Sequence, residues 1–152
     1  MRVVIQRVTE ASVSWAEGSS SIRAGYCILV GVAETDAERD ADYLAEKILK
    51  LRVFSDEAGK FNRNAAQVTA EILVIPQFTL FADARGQNRP SFLKAARPEL
   101  GRPLLERFID RLRSSGLRIE TGCFGAQMAV HLVNDGPVTL VLSTEDWQTR
   151  IG

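Results

Sequence analysis

Two short segments carry the residue types that chemistry needs. Pro76-Gln77-Phe78-Thr79-Leu80 follows the apolar run Glu71 to Ile75, and the end of a buried strand commonly carries active-site groups. There Thr79 offers a hydroxyl and Gln77 a neutral amide; the alternative is a plain strand-to-loop turn. Asn134-Asp135-Gly136-Pro137-Val138-Thr139 is the second. Asn-Asp-Gly is hairpin chemistry, but a following proline removes a backbone donor and can take the cis form. The alternative is an ordinary hairpin with Pro137 at a strand start.

The other reactive side chains point away from catalysis. His131 is the single histidine, so any triad or imidazole-rich metal site would have to use it. Its place within Met128-Ala129-Val130-His131-Leu132-Val133 reads as structural. Cys123 lies in a turn between Gly122 and Phe124, without a base to activate it. Cys27 sits in an apolar run and reads as inert. No glycine-rich phosphate loop opens a helix, and no ligand spacing marks a metal site. Neither cofactor nor metal is expected.

The elements that position these segments follow from periodicity. Val3, Ile5 and Arg7 alternate with Val4, Gln6 and Val8 as a strand, continued in extended style over Ser12 to Trp15. Tyr26 to Val32 reads as a buried strand, with further strands at Leu51–Phe54 and Glu71–Ile75. Leu117–Glu120, Met128–Val133 and Val138–Ser143 read as three closing strands. Thr35 followed by Glu38 is a capping-box signature, opening an amphipathic helix over about 36–50 through Ala37, Ala41, Leu44, Ala45 and Ile48. Residues 82–98 are loop-like. A second helix follows, with Leu100, Leu104, Leu105, Phe108, Ile109 and Leu112 on one face. Many strands with two main helices predict one α/β domain over residues 1–152.

Composition sets the limits. At 152 residues the chain can bury about two-thirds of its unfolded surface. Lys plus Arg total 19 and Asp plus Glu total 19, which excludes a uniformly basic nucleic-acid coat. The balance hides an asymmetry. Residues 34–57 carry eight acids and four bases, whereas 83–118 carry nine bases and four acids. Eight of those nine bases are arginine, a residue suited to phosphate. A small RNA-binding module using the 83–118 face is therefore an alternative, and a non-enzymatic dimeric scaffold a third. Such RNA modules usually display exposed aromatics for stacking, and aromatics here total 7%. Arg2, Gln6, Arg7 and Glu10 break every N-terminal apolar run, and no apolar stretch approaches the ~20 residues of a membrane span. A cytoplasmic location without membrane attachment is expected.

Together the two segments resemble the hallmarks of the D-aminoacyl-tRNA deacylases. The flanks agree as well: Met1-Arg2-Val3-Val4-Ile5-Gln6-Arg7-Val8, Gly59-Lys60-Phe61-Asn62, Arg89-Pro90-Ser91-Phe92 and Gly122-Cys123-Phe124-Gly125-Ala126. The resemblance implies a barrel-like α/β homodimer with its active site at the subunit interface. It implies hydrolysis of the ester joining a D-amino acid, or glycine, to the terminal ribose of tRNA. It makes Gln77, Phe78 and Thr79 the catalytic segment and Gly136 and Pro137 a cis pair inserted into the partner's site. The carbonyls of that pair would exclude an L side chain and bind the ammonium group. Arg7 would brace the loop, and Phe124 and Met128 would lie near the amino group. Pro76 stands where the family usually has serine, and Gln127 where many relatives carry an acid. A related animal deacylase also has proline at the first position, with a trans pair and relaxed stereospecificity. Phe78 and Asn134-Asp135-Gly136-Pro137 resemble the chirally strict group, which implies D-specificity and a cis bond here.

Overall fold

The computed structural model describes residues 1–145. A fourteen-residue strand, β1 (Arg2–Trp15), is the spine of the sheet. Along one side its first half pairs antiparallel with β3 (Gly25–Gly31), and its second half with β2 (Gly18–Ile22). Along the other side it pairs with β8 (Ala129–Ser143) for nearly its whole length. β3 continues in parallel to β6 (Glu71–Pro76), and β6 in parallel to β7 (Ile119–Thr121). A separate two-stranded ribbon joins β4 (Phe54–Ser55) and β5 (Phe61–Arg63). The sheet curls until its edges approach: the Ser20 hydroxyl on β2 donates to the Thr121 carbonyl on β7 at 2.8 Å. The result is a nearly closed barrel.

Two apolar clusters follow from the strand alternation. Val3, Ile5, Tyr26, Ile28, Ile72 and Val74 face α1 (Glu38–Lys50) and α2 (Pro98–Arg113), which contribute Leu44, Ile48, Leu104, Phe108 and Leu112. Val8, Val13, Ile22, Cys27, Leu73 and Ile75 point the other way and form a second, smaller core inside the curl. A parallel β3–β6 pair buried on both faces explains the unbroken apolar reading of both segments. Among the described residues no helix is long and apolar enough to cross a membrane.

Several expected boundaries shift. α1 begins at Glu38 with Ala37 as its cap, and the Asp40 carboxylate accepts the Ala37 N–H at 2.8 Å. The expected Thr35 cap is not used, because Asp36 ends the preceding chain by accepting the Ala33 N–H at 2.6 Å. The strand expected at Leu51–Phe54 contributes only Phe54 to β4. The two strands read at Met128–Val133 and Val138–Ser143 are one strand, β8, so Asn134-Asp135-Gly136 is no hairpin. Both halves stay paired to the same neighbour, and the turn residues are extruded as a bulge within the ladder. His131 lies mid-strand as expected, but its side chain is exposed, 3.9 Å from Glu10.

Candidate active site

The β6 strand delivers the first hallmark to a cleft. The Gln77 N–H donates to the Val30 carbonyl at 2.7 Å, extending the parallel register that pairs Val30 with Pro76. Gln77 thus faces β3, and Pro76 faces the β7 side, where pairing has already ended at Val74. The missing proline donor therefore costs no ladder bond. Beyond it the chain tightens into a one-turn 3-10 helix, Phe78–Phe81. The first N–H groups of such a turn lie outside its own hydrogen-bond ladder. Gly31 makes the turn possible, since a Cβ there would stand 3.0 Å from the Gln77 carbonyl and 3.1 Å from Leu80.

The cleft holds about 590 Å³ and is lined in part by Pro76, Gln77, Phe78, Phe124 and Met128. Five of the expected site residues are thus brought together. Thr79 joins them through its hydroxyl, which accepts a hydrogen bond from the Gln77 side-chain amide. Met128 is seated by Gly122: a Cβ there would fall 2.8 Å from its sulfur, and the Cys123 N–H donates to that sulfur at 3.3 Å. Phe78 is more than half exposed and meets Phe92 edge-on, ring centroids 5.2 Å apart. Residues Ala95 to Pro98 and the start of α2 form the opposite wall. In the sequence, Arg89-Pro90-Ser91-Phe92 is only a flank of the resemblance and Arg102 only one of nine bases in the 83–118 stretch. Neither has a place at the site on that reading, yet Arg102 lies over the Phe124 ring there at 4.8 Å.

Gly136, Pro137 and Arg7 do not line this cleft. Four residues of β8, Asp135 to Val138, stand opposite the single residue Arg7, between the pairs Gln6–Thr139 and Val8–Asn134. The Asn134 side chain closes this bulge. Its carbonyl oxygen accepts the Val138 N–H at 3.0 Å, and its amide donates to the Thr139 hydroxyl at 3.0 Å. The Gly136–Pro137 peptide is cis, as expected. Gly136 has φ +127°, and a Cβ there would lie 2.8 Å from Val138 and 3.1 Å from the Arg7 guanidinium. Arg7 braces the loop. It donates to the carbonyls of Asp135 (3.3 Å) and Val53 (2.7 Å), and its Nε is 3.2 Å from the Asp135 carboxylate.

The electrostatics of the cleft are plain. Among the described residues that line it, Arg97 alone has an ionisable side chain. Cys27 lies in the second core, where burial pushes its thiol up to about 11. Among the described residues no cluster of His, Cys, Asp and Glu fits a metal. The basic 83–118 stretch is not a bare cationic face, because its charges meet the acidic stretch across the helix pair. Arg107 contacts Glu38 at 3.0 Å and Asp42 at 2.7 Å, and Arg97 contacts Glu34 at 3.2 Å. The Arg107 hydrogen bond holds the Asp42 carboxyl below its ordinary range.

With this geometry in place, the chain matches over residues 4–143 the family described as D-Tyr-tRNA(Tyr) deacylase. A D-aminoacyl-tRNA deacylase of Thermotoga petrophila is 49% identical over 145 residues, 95% of this chain and 97% of that protein. One of Chloroflexus aurantiacus is 52% identical over 147 residues, 96% of this chain and 92% of the relative. The solved structure of a c-Myc DNA Unwinding Element Binding Protein superposes with a TM-score of 0.88 at 39% identity, over 95% of this chain and 99% of that one. The chain belongs to the D-Tyr-tRNA(Tyr) deacylase family.

Proposed function

We propose that this protein hydrolyses the ester joining a D-amino acid to the terminal ribose of tRNA, releasing free D-amino acid and tRNA, and that it also clears mischarged glycyl-tRNA. Its role is chiral proofreading in translation, in the cytoplasm where charged tRNA is consumed. The carrying observation is the division of the two hallmarks: Gln77 and Phe78 line a cleft, while Gly136, Pro137 and Arg7 stand outside it. A braced loop that does not line its own chain's cleft suits a homodimer in which it enters the partner's cleft. The exposed apolar residues Val130, Val133 and Val141 along β8 support such a pairing.

In this reading selection comes from main chain. The carbonyls of Gly136 and Pro137 occupy the space an L side chain requires and accept hydrogen bonds from the substrate ammonium group. A Cβ-bearing D substrate points its side chain elsewhere and is accepted. Phe124 and Met128 pack beside the amino group, and Pro76 closes the floor.

Catalysis then needs little. An aminoacyl ester is already activated, so water attack on its carbonyl is assisted chiefly by positioning and oxyanion stabilisation. We assign the backbone N–H groups of Phe78 and Thr79 to the oxyanion. The vicinal ribose hydroxyl of the tRNA activates the water, and the Gln77–Thr79 hydrogen bond fixes the turn that holds the ester. A cleft whose one ionisable lining residue, among the described residues, is Arg97 supports this substrate-assisted route over a side-chain general base. The test is to incubate the full chain with D-Tyr-tRNA and follow free tyrosine. Catalytic release supports the reading, whereas absence of turnover contradicts it.

A further inference from the structure

The nine bases of residues 83–118 fall into two groups. Arg85, Arg97, Arg107, Arg111, Arg113 and Arg118 each form an ion pair with a carboxylate. Among the described residues Arg89, Lys94 and Arg102 do not. Lys94 is within electrostatic reach of Asp83, which leaves Arg89 and Arg102 as the two least compensated.

Arg102 is the more telling. Glu99 and Glu106 stand three residues before and four after it on α2, the spacings at which helix ion pairs form. The guanidinium instead lies 4.8 Å from the centroid of Phe124, a wall of the cleft. A guanidinium over a ring still has its five N–H donors for other partners, and among the described residues no hydrogen bond of Arg102 uses them. Arg89 is exposed on the loop that also carries Phe92, itself a cleft residue. Among the described residues Arg39 and Lys47 on α1 also form no ion pair, but they sit in the acidic 34–57 stretch, whose field repels a polyanion.

Resting on the deacylase reading, we propose that Arg102, with Arg89 on the adjoining loop, is the docking surface for the phosphodiester backbone of the 3′-terminal nucleotides of tRNA. The cleft takes the aminoacyl ester, and the cation stacked on its wall takes the phosphates leading into it. A guanidinium matches a phosphate bidentately and without regard to base, as a substrate class of many tRNAs requires.

The experiment compares two esters, D-tyrosyl-tRNA and D-tyrosyl adenosine, which lacks the phosphodiesters. Wild type, Arg102→Glu, Arg102→Lys and the remote ion-paired Arg113→Glu are assayed over a salt series. Arg102→Glu is expected to raise KM for the tRNA about tenfold with kcat unchanged. Its slope of log(kcat/KM) against log salt should be shallower by about 0.7 for one lost single-strand contact. Cleavage of the adenosine ester is unaffected, and Arg113→Glu behaves as wild type. Arg102→Lys, which keeps the charge but loses the fork and the stacking, falls between wild type and Arg102→Glu. Equal losses on both esters, no loss on either, or the same loss from Arg113→Glu each overturn the assignment. A wild-type protein that cleaves neither ester removes the deacylase reading itself, and the docking surface with it.

Discussion

Arg7 and Asp135 are joined twice: the Arg7 Nε donates to the Asp135 carbonyl at 3.3 Å and lies 3.2 Å from its carboxylate. The same guanidinium donates to the Val53 carbonyl at 2.7 Å, and its face lies 5.4 Å from the Phe61 ring. One side chain therefore fastens the bulge of β8 to the β4–β5 ribbon. Because the guanidinium is largely buried, each of these bonds is shielded from competing water.

Replacing Arg7 by lysine keeps the charge but loses the fork that reaches two carbonyls at once. One charge-assisted hydrogen bond is worth about 1.5–3 kcal/mol, so the loop's position loosens by that amount. Arg7→Lys is expected to raise cleavage of L-Tyr-tRNA relative to D-Tyr-tRNA by about tenfold or more. The ratio of the two initial rates measures it. An unchanged ratio separates Arg7 from selectivity.

Gly136→Ala tests the same loop from its other end. The added methyl meets Val138 at 2.8 Å and the Arg7 guanidinium at 3.1 Å, in a backbone conformation that side chains rarely adopt. The expected outcome is a loss of about 1–3 kcal/mol in stability by urea unfolding, together with a sharply lower kcat/KM. Wild-type kinetics in a folded Gly136→Ala protein contradict the placement of this loop at the substrate.

Thr79 separates positioning from covalent catalysis. Its hydroxyl accepts the Gln77 amide, and among the described residues no His, Lys, Asp or Glu lines the cleft. Thr79→Ala is therefore expected to retain turnover, reduced by less than about a hundredfold. A tRNA whose terminal ribose lacks the free vicinal hydroxyl should lose more than that. Undetectable turnover by Thr79→Ala with an unimpaired deoxy substrate supports a threonine nucleophile instead.

The two cysteines differ in reactivity and in their effect on stability. At pH 8 a thiol reagent is expected to modify Cys123 and spare Cys27, which is buried. Burial raises the Cys27 thiol from its ordinary 9.0 to about 11. The folded state thus holds this proton to higher pH than the unfolded chain. The resulting stability is complete below pH about 9 and is lost as pH rises toward about 11. Urea unfolding at pH 8 and pH 10.5 should show this alkaline loss in wild type and a smaller one in Cys27→Val.

Much of this architecture is legible in the sequence, because burial imposes local rules. The apolar faces of α1 and α2 and the unbroken runs of β3 and β6 each report one environment directly. The Asn134-Asp135-Gly136 segment misleads for the opposite reason. Its composition is that of a two-residue turn, yet the long spine β1 keeps both flanks in register and forces the residues out as a bulge. The acid–base neutrality was legible as a sum, but the pairing of Arg107 with Asp42 depends on how α1 and α2 cross. For the site, the Gln77–Thr79 segment is visible in the sequence as polar residues after a buried strand, which a plain turn also explains, and only the family resemblance gives it a role. Arg102 gives no such sign, since a helix arginine between two glutamates looks like a solvated charge until the Phe124 ring is seen beneath it.

The account stands most directly on stereochemistry. Matched D-Tyr-tRNA and L-Tyr-tRNA, at equal concentration and under single-turnover conditions, should separate strongly. The predicted result is complete deacylation of the D ester while the L ester decays only at its uncatalysed rate. Comparable cleavage of the two, or no enzymatic cleavage of the D ester, contradicts it.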